Sequence, residues 1–318
     1  MARTPVPGSQ TPFTPEYEYY LKPEDAYQEN QTEVDDKFLL RTEQLELRRL
    51  EIYLACTRFR DLIERQGSTL ADDLDCNELH TVEGPWNFKL NERSDDAAFW
   101  KSWMKDEGSS SKLRCDESVH LTGHSFGGAT VPPPTLAGME FDPLPVTHAI
   151  SLDPWLEPLP SPGPTPWQVE KSIDASPRPV PKLLLLNSEG FTLWEDHFTR
   201  LKELTDVWKQ PHSSSEPTTK DEPPVRLLSL IRARHTSFSD AGILFPWGKG
   251  ARDSQIFLNV INELSSSFLE SGDDFERTLA GLHVRDEEIK QKKDIGKNNG
   301  TKWDKMFVGE AGDVIVHV

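Results

Sequence analysis

Long apolar runs, basic charge and cysteine are all scarce in this chain of 318 residues. Hydrophobic residues make up 36% and mean hydropathy is −0.59, which excludes a core spread evenly along the chain. A core is instead expected in one part of it, with long polar segments outside. No apolar run approaches the roughly 20 residues that a membrane-spanning helix requires. Lys and Arg number 35 against 53 Asp and Glu, a net charge of −18. That balance argues against a nucleic-acid partner, whose phosphates demand clustered cations. It also disfavours strongly anionic membranes while leaving a zwitterionic lipid surface open as a peripheral contact. The three cysteines, Cys56, Cys76 and Cys115, are scattered without a CxxC spacing, so ordinary reduced thiols are expected. Met1 to Pro15 is polar and proline-rich, with no visible signal peptide, and a cytoplasmic protein is the expectation.

What is present divides into four stretches. Residues 1–37 read as an acidic, proline-containing arm, and 38–116 as a helical segment followed by an irregular charged region. Within the latter, Leu40, Leu47, Leu50 and Leu54 fall at helical spacing, broadened by Leu45, Ile52, Phe59 and Ile63, and predict one long amphipathic helix. Trp86, Trp100 and Trp103 are candidate anchors. Asp73, Asp75 and Asn77 imitate the start of a calcium loop, but Glu78 stands where glycine must turn the chain and Gly84 where a bidentate Glu is needed. No metal or other cofactor is called for. Residues 117–270 carry four strand-length apolar runs, Val119–Thr122, Val146–Leu152, Lys182–Leu186 and Val225–Ile231. Helical periodicity occupies Trp194–Val207 and Gln255–Phe268. Strands alternating with helices predict an α/β fold whose parallel sheet is covered on both faces. Residues 208–224 read as a Ser/Pro/Glu-rich surface insertion, and 271–318 as a polar extension with only local structure expected before Val314.

The chemistry is carried by Gly123-His124-Ser125-Phe126-Gly127, a GxSxG pentapeptide directly after the first apolar strand. A serine on a sharp strand-to-helix turn has its hydroxyl lifted clear of the sheet, and flanking glycines let neighbouring chain pass close. The backbone N–H of Phe126, just past that serine, can stabilise an oxyanion. A serine nucleophile needs a base, and the base an orienting carboxylate. In an α/β hydrolase the chain order is Ser, acid, His, which eliminates His80, His120 and His124. His148 lies in a strand, His197 on an amphipathic helix, His212 in the insertion and His283 beyond the last core helix. His235 stands in the loop after the fourth strand, on the sheet edge where such sites form. Two acids compete: Asp153 ends the second strand and is held extended by Pro154, while Glu189 follows the third. Residue spacing leaves that choice open.

Four segments together are similar to the platelet-activating-factor acetylhydrolases of the plasma and type II intracellular class. They are Gly-His-Ser-Phe-Gly-Gly-Ala-Thr at 123–130, Ser-Leu-Asp-Pro-Trp at 151–155, Leu-Leu-Asn-Ser-Glu at 185–189 and His-Thr-Ser-Phe-Ser-Asp at 235–240. The resemblance extends over roughly residues 17–310 and includes the helix at Leu40–Ile63. It implies an α/β-hydrolase fold and a calcium-independent phospholipase that removes short or oxidised acyl chains from the central position of a glycerophospholipid. It selects Asp153 as the acid, giving Ser125 nucleophile, His235 base and Asp153 orienter. Trp155, Trp167, Phe191 and Trp194 follow strand ends and are candidate acyl-pocket or lipid contacts, although aromatics there more often belong to the core.

The chain departs from that pattern twice. No His-Gly pair, the source of the family's second oxyanion donor, occurs anywhere in it, and residues 1–110 show no comparable strands. The N-terminal strands are therefore expected to be missing, as in a truncated form. Pro132-Pro133-Pro134 should also cut short the helix behind the nucleophile. The rival readings are a carboxylesterase for a non-lipid ester, a catalytically dead fragment binding through its arm and helix, and a lipid-binding scaffold without turnover.

Overall fold

The computed structural model describes residues 38–64, 118–131, 144–161, 181–209, 225–240, 244, 250–270, 274–295 and 301–317. The arm, the charged region with its three tryptophans and the calcium-like stretch, the triple proline, Trp167 and most of the 208–224 insertion lie outside the described residues.

Four parallel strands form the centre: β1 (Val119–His124), β2 (Val146–Leu152), β3 (Lys182–Ser188) and β4 (Val225–Leu230), adjacent in sequence order. β3 is buried on both faces, which is why it reads as the unbroken run Leu183-Leu184-Leu185-Leu186 rather than as an alternation. Its odd and even residues serve different layers. Leu183 and Leu185, with Val225 and Leu227 of β4, pack under Phe198, Leu201, Leu204 and Trp208. Those four lie on α3 (Glu195–Lys209), one helical stripe facing the sheet. Leu184 and Leu186, with Leu228 and Leu230, pack against Phe257, Val260, Ile261, Leu264 and Phe268. These belong to α4 (Gly250–Leu269) on the opposite face. Between β3 and α3 sits one turn of helix, α2 (Glu189–Thr192), capped by Ser188, whose hydroxyl accepts the Phe191 N–H at 3.2 Å. The result is a mostly parallel sheet between helical layers, an α/β-hydrolase-like architecture.

Three expectations need revising. Trp208, assigned to a loose insertion, completes the α3 stripe and is 1% exposed. The polar extension also contributes to the core. Its α5 (Asp274–Gly281) inserts Phe275 and Leu279 beside α4, and β8 (Val314–His317) joins the main sheet antiparallel to β4. β5 (Val284–Arg285) pairs beyond β8, while β6 (Ile289–Ile295) and β7 (Thr301–Phe307) form a separate antiparallel hairpin. The long helix is present as α1 (Leu39–Glu64), but its apolar stripe is only partly used. Leu40, Leu45 and Tyr53 are buried, whereas Leu47 and Leu54 remain 45% and 41% exposed. Leu45 joins the cluster of Ala129, Val131 and Leu185, so the helix docks through the face that meets the turn after β1.

Candidate active site

At the end of β1 the chain reverses through Ser125, whose φ of +58° is left-handed. Such a conformation costs a non-glycine residue about 1–3 kcal/mol and persists only where the surroundings impose it. Here the Ser125 N–H donates to the Leu152 carbonyl (2.9 Å), and its own carbonyl accepts from Ala129 (3.2 Å) and Trp155 (3.1 Å). The small residues of the motif are explained by crowding. A Cβ on Gly123 would stand 2.3 Å from the Gly127 carbonyl oxygen, and one on Gly128 would stand 2.8 Å from Ser151 Oγ. Behind the turn only a 3-10 segment, Gly128–Thr130, follows before Val131 becomes extended. Among the described residues no hydrogen bond occupies the Phe126 N–H, the expected oxyanion donor.

The carboxylate arrives from the neighbouring strand end. Asp153 also has positive φ (+45°), pinned by its N–H to the Leu186 carbonyl at 2.7 Å, and its side chain is fully buried. Oδ1 accepts the Ser188 N–H at 2.6 Å and, with the Asn187 amide in its satisfied orientation, Asn187 Nδ2 at 3.1 Å. Oδ2 lies 2.7 Å from His235 Nδ1, and His235 Nε2 lies 2.7 Å from Ser125 Oγ. Residues separated by 82 and 110 positions thus converge at the C-terminal edge of the parallel strands. In that order the imidazole can take the hydroxyl proton while the carboxylate fixes its tautomer.

Glu189, the other acid considered, is committed elsewhere. It accepts from the Arg232 backbone N–H at 2.6 Å, pairs with the Arg232 guanidinium at 3.1 Å, and accepts the Phe307 N–H at 3.1 Å. Arg232, at φ +68°, begins the loop that carries His235, and also donates to the Gly309 carbonyl. Glu189 therefore ties the His235-bearing loop to α2 and the hairpin. Glu189→Ala should destabilise the fold by about 3 kcal/mol, because it strands a mostly buried cation and two backbone donors. A fall in the urea midpoint at unchanged m-value would show this.

The aromatic candidates take different places. Phe191 stacks on the His235 ring, centroids 4.7 Å apart and planes 12° apart. Trp194, 40% exposed, stacks on His197 at 5.0 Å. Trp155 meets Phe38 of the segment leading into α1 edge-on at 5.8 Å and lies 6.1 Å from Phe126. Arg48 on α1 covers the Phe126 ring at 5.1 Å.

Two histidines were passed over as bases, His124 on chain order and His197 because it lies on an amphipathic helix, yet the structure puts both near the site. His124 donates from Nε2 to the His235 carbonyl at 3.0 Å, a group that can only accept, so that nitrogen carries the proton. His197 is fully buried, accepts the Leu156 N–H at 3.3 Å, and touches Phe191 edge-on at 5.0 Å. Burial pushes the His197 pKa down to about 4, outweighing the Pro154 carbonyl and the Asp153 charge, which favour the protonated ring. The consequence has a definite sign. From its ordinary value of 6.5 down to about 4, the unfolded chain holds a proton at this position that the folded chain refuses. Stability therefore falls with falling pH across that window, by at most about 1.4 kcal/mol per pH unit from this group. His197→Gln should flatten the dependence of the urea midpoint on pH between those limits.

A parallel sheet between helical layers, with a serine elbow, a buried carboxylate and a loop histidine meeting at its strand ends, defines the α/β-hydrolase class. Residues 14–291 match the family model of platelet-activating factor acetylhydrolase, isoform II. The chain belongs to that family. Neither the curated proteins nor the solved structures gave a match.

Proposed function

We propose that this protein hydrolyses the sn-2 acetyl or short, oxidised acyl ester of a glycerophospholipid through a Ser125 acyl-enzyme. The observation that carries the reading is the unbroken relay, 2.7 Å from Ser125 Oγ to His235 and 2.7 Å from His235 to Asp153. His235 takes the serine proton as Oγ attacks the ester carbonyl, and the Phe126 N–H stabilises the oxyanion. The tetrahedral intermediate collapses with the same proton passing to the departing lysophospholipid oxygen. Water, deprotonated by His235, then attacks the acyl-serine and releases the short carboxylic acid. The base is an imidazole, so no calcium ion is asked to activate water.

The family assignment supports a phospholipid ester as substrate. The chain's net charge of −18 supports a zwitterionic rather than anionic lipid surface, and the exposed Trp194 indole beside the site suits such an interface. The test is acetate release from 1-alkyl-2-acetylglycerophosphocholine, run beside a long-chain diacyl phosphatidylcholine and a soluble aryl acetate. Turnover of the acetyl phospholipid well above the long-chain lipid is expected, with fluorophosphonate adduct on Ser125. Cleavage of the aryl ester alone would move the protein to the general carboxylesterases, and no adduct on Ser125 in folded protein would remove the serine mechanism.

A further inference from the structure

We infer that His124 is a positioning residue that seats the His235-bearing turn on the nucleophile strand and so sets the Ser125–His235 distance. The inference rests on the serine-hydrolase reading above, and it concerns how the base is held rather than what is cleaved.

His235 opens a single 3-10 turn, His235–Phe238. The other hydrogen bonds to the backbone of this stretch are local: Ala233 to Leu230, Arg234 to the Ser237 hydroxyl, Ser237 to Arg234 and Ser239 to Thr236. Upstream of the turn the loop is tied by the Arg232 N–H to Glu189 (2.6 Å) and by Ile231 to Asp313 (2.9 Å), but among the described residues the bond from His124 Nε2 to the His235 carbonyl (3.0 Å) is the one that reaches the backbone of residues 233–239 from another part of the chain. The His124 ring also contacts both ends of the turn, lying 4.6 Å from the His235 ring and stacked 5.9 Å from Phe238 at 20°. Phe238 packs in the α4 layer, which supplies apolar contact but no direction. His124 supplies direction, and it is covalently next to Ser125. Nucleophile and base are thus joined twice, by the hydroxyl–imidazole bond and by the adjacent residue's grip on the base's own carbonyl.

The bond requires a proton on His124 Nε2, which the neutral ring supplies in its Nε2–H tautomer. Burial, then the nearby His235, lower its pKa, so it keeps that form beside an imidazolium forming 4.6 Å away. A lysine or arginine in its place would set a permanent cation against that imidazolium.

The experiment compares His124→Ala, His124→Gln and wild type. A misplaced base by about 1 Å costs on the order of 100-fold in rate, so His124→Ala should lose about 10- to 100-fold in kcat with KM nearly unchanged. Glutamine reaches the same carbonyl with its amide N–H and should recover most of that loss, leaving about fivefold or less. The low-field proton resonance of His235 Nδ1–H, bonded to Asp153, is the second readout. It should be sharp in wild type and His124→Gln and broadened or lost in His124→Ala at equal melting temperature. Equal kcat and an unaltered resonance in the alanine variant would overturn the role, as would a glutamine variant as impaired as alanine. Should wild type cleave no ester, the proton resonance still decides the point, separating this inference from the choice of reaction.

Discussion

Ser125→Ala is expected to abolish fluorophosphonate labelling and to lower kcat on the acetyl phospholipid by about 10^5- to 10^6-fold, the scale seen when a triad nucleophile is removed. The size follows from what disappears: the covalent route itself, which splits one difficult displacement into two easier ones. Folding should be unaffected. The elbow is held by backbone groups, the Ser125 N–H on the Leu152 carbonyl and the Ser125 carbonyl under the Ala129 and Trp155 N–H groups, and alanine supplies all of them. Its left-handed φ of +58° strains alanine no more than serine. Initial rates and thermal melts on the same preparation check both halves. A variant that labels or turns over within a few-fold of wild type would assign the nucleophile elsewhere.

Asp153→Asn should lower kcat by about 10^4-fold, because an amide in that place presents a donor to His235 and reverses its tautomer. The proton then sits on Nε2, facing a hydroxyl it can no longer deprotonate. A stability loss of about 1–3 kcal/mol should accompany it, since the fully buried carboxylate accepts from Ser188 N–H, Asn187 and His235, and an amide oxygen cannot serve all three. The two effects separate experimentally: the urea midpoint reports the second, and kcat measured well below that midpoint reports the first. Glu189→Ala reverses the emphasis, with its larger effect on stability, because Glu189 contacts Arg232 and the hairpin rather than the imidazole.

Much of the architecture was legible because its signals are local. An apolar run bounded by polar residues shows a buried strand wherever it falls, so the four parallel strands and the helices α3 and α4 emerged from periodicity. Ser125 was legible for the same reason: Gly123 and Gly128 record in sequence how closely the backbone passes Gly127 and Ser151. β8 was harder to place, since Val-Ile-Val-His is short and follows a stretch rich in charged residues, and only pairing with β4 shows it to be part of the sheet. The α1 stripe misled because spacing names an apolar face without naming what covers it, and Leu47 and Leu54 stay exposed.

Alone, the sequence determined where the four parallel strands and the helices α3 and α4 lie, the residue types available for hydrolytic chemistry and, through four linked segments, the family. Tertiary structure decided which side chains meet. It brought Asp153 to His235, gave Glu189 to Arg232, and set His124 against the turn that carries His235. Helix and strand propensities act over a few neighbouring residues, whereas a hydrogen bond between positions 110 or 111 apart depends on how whole layers pack. No local pattern encodes that distance.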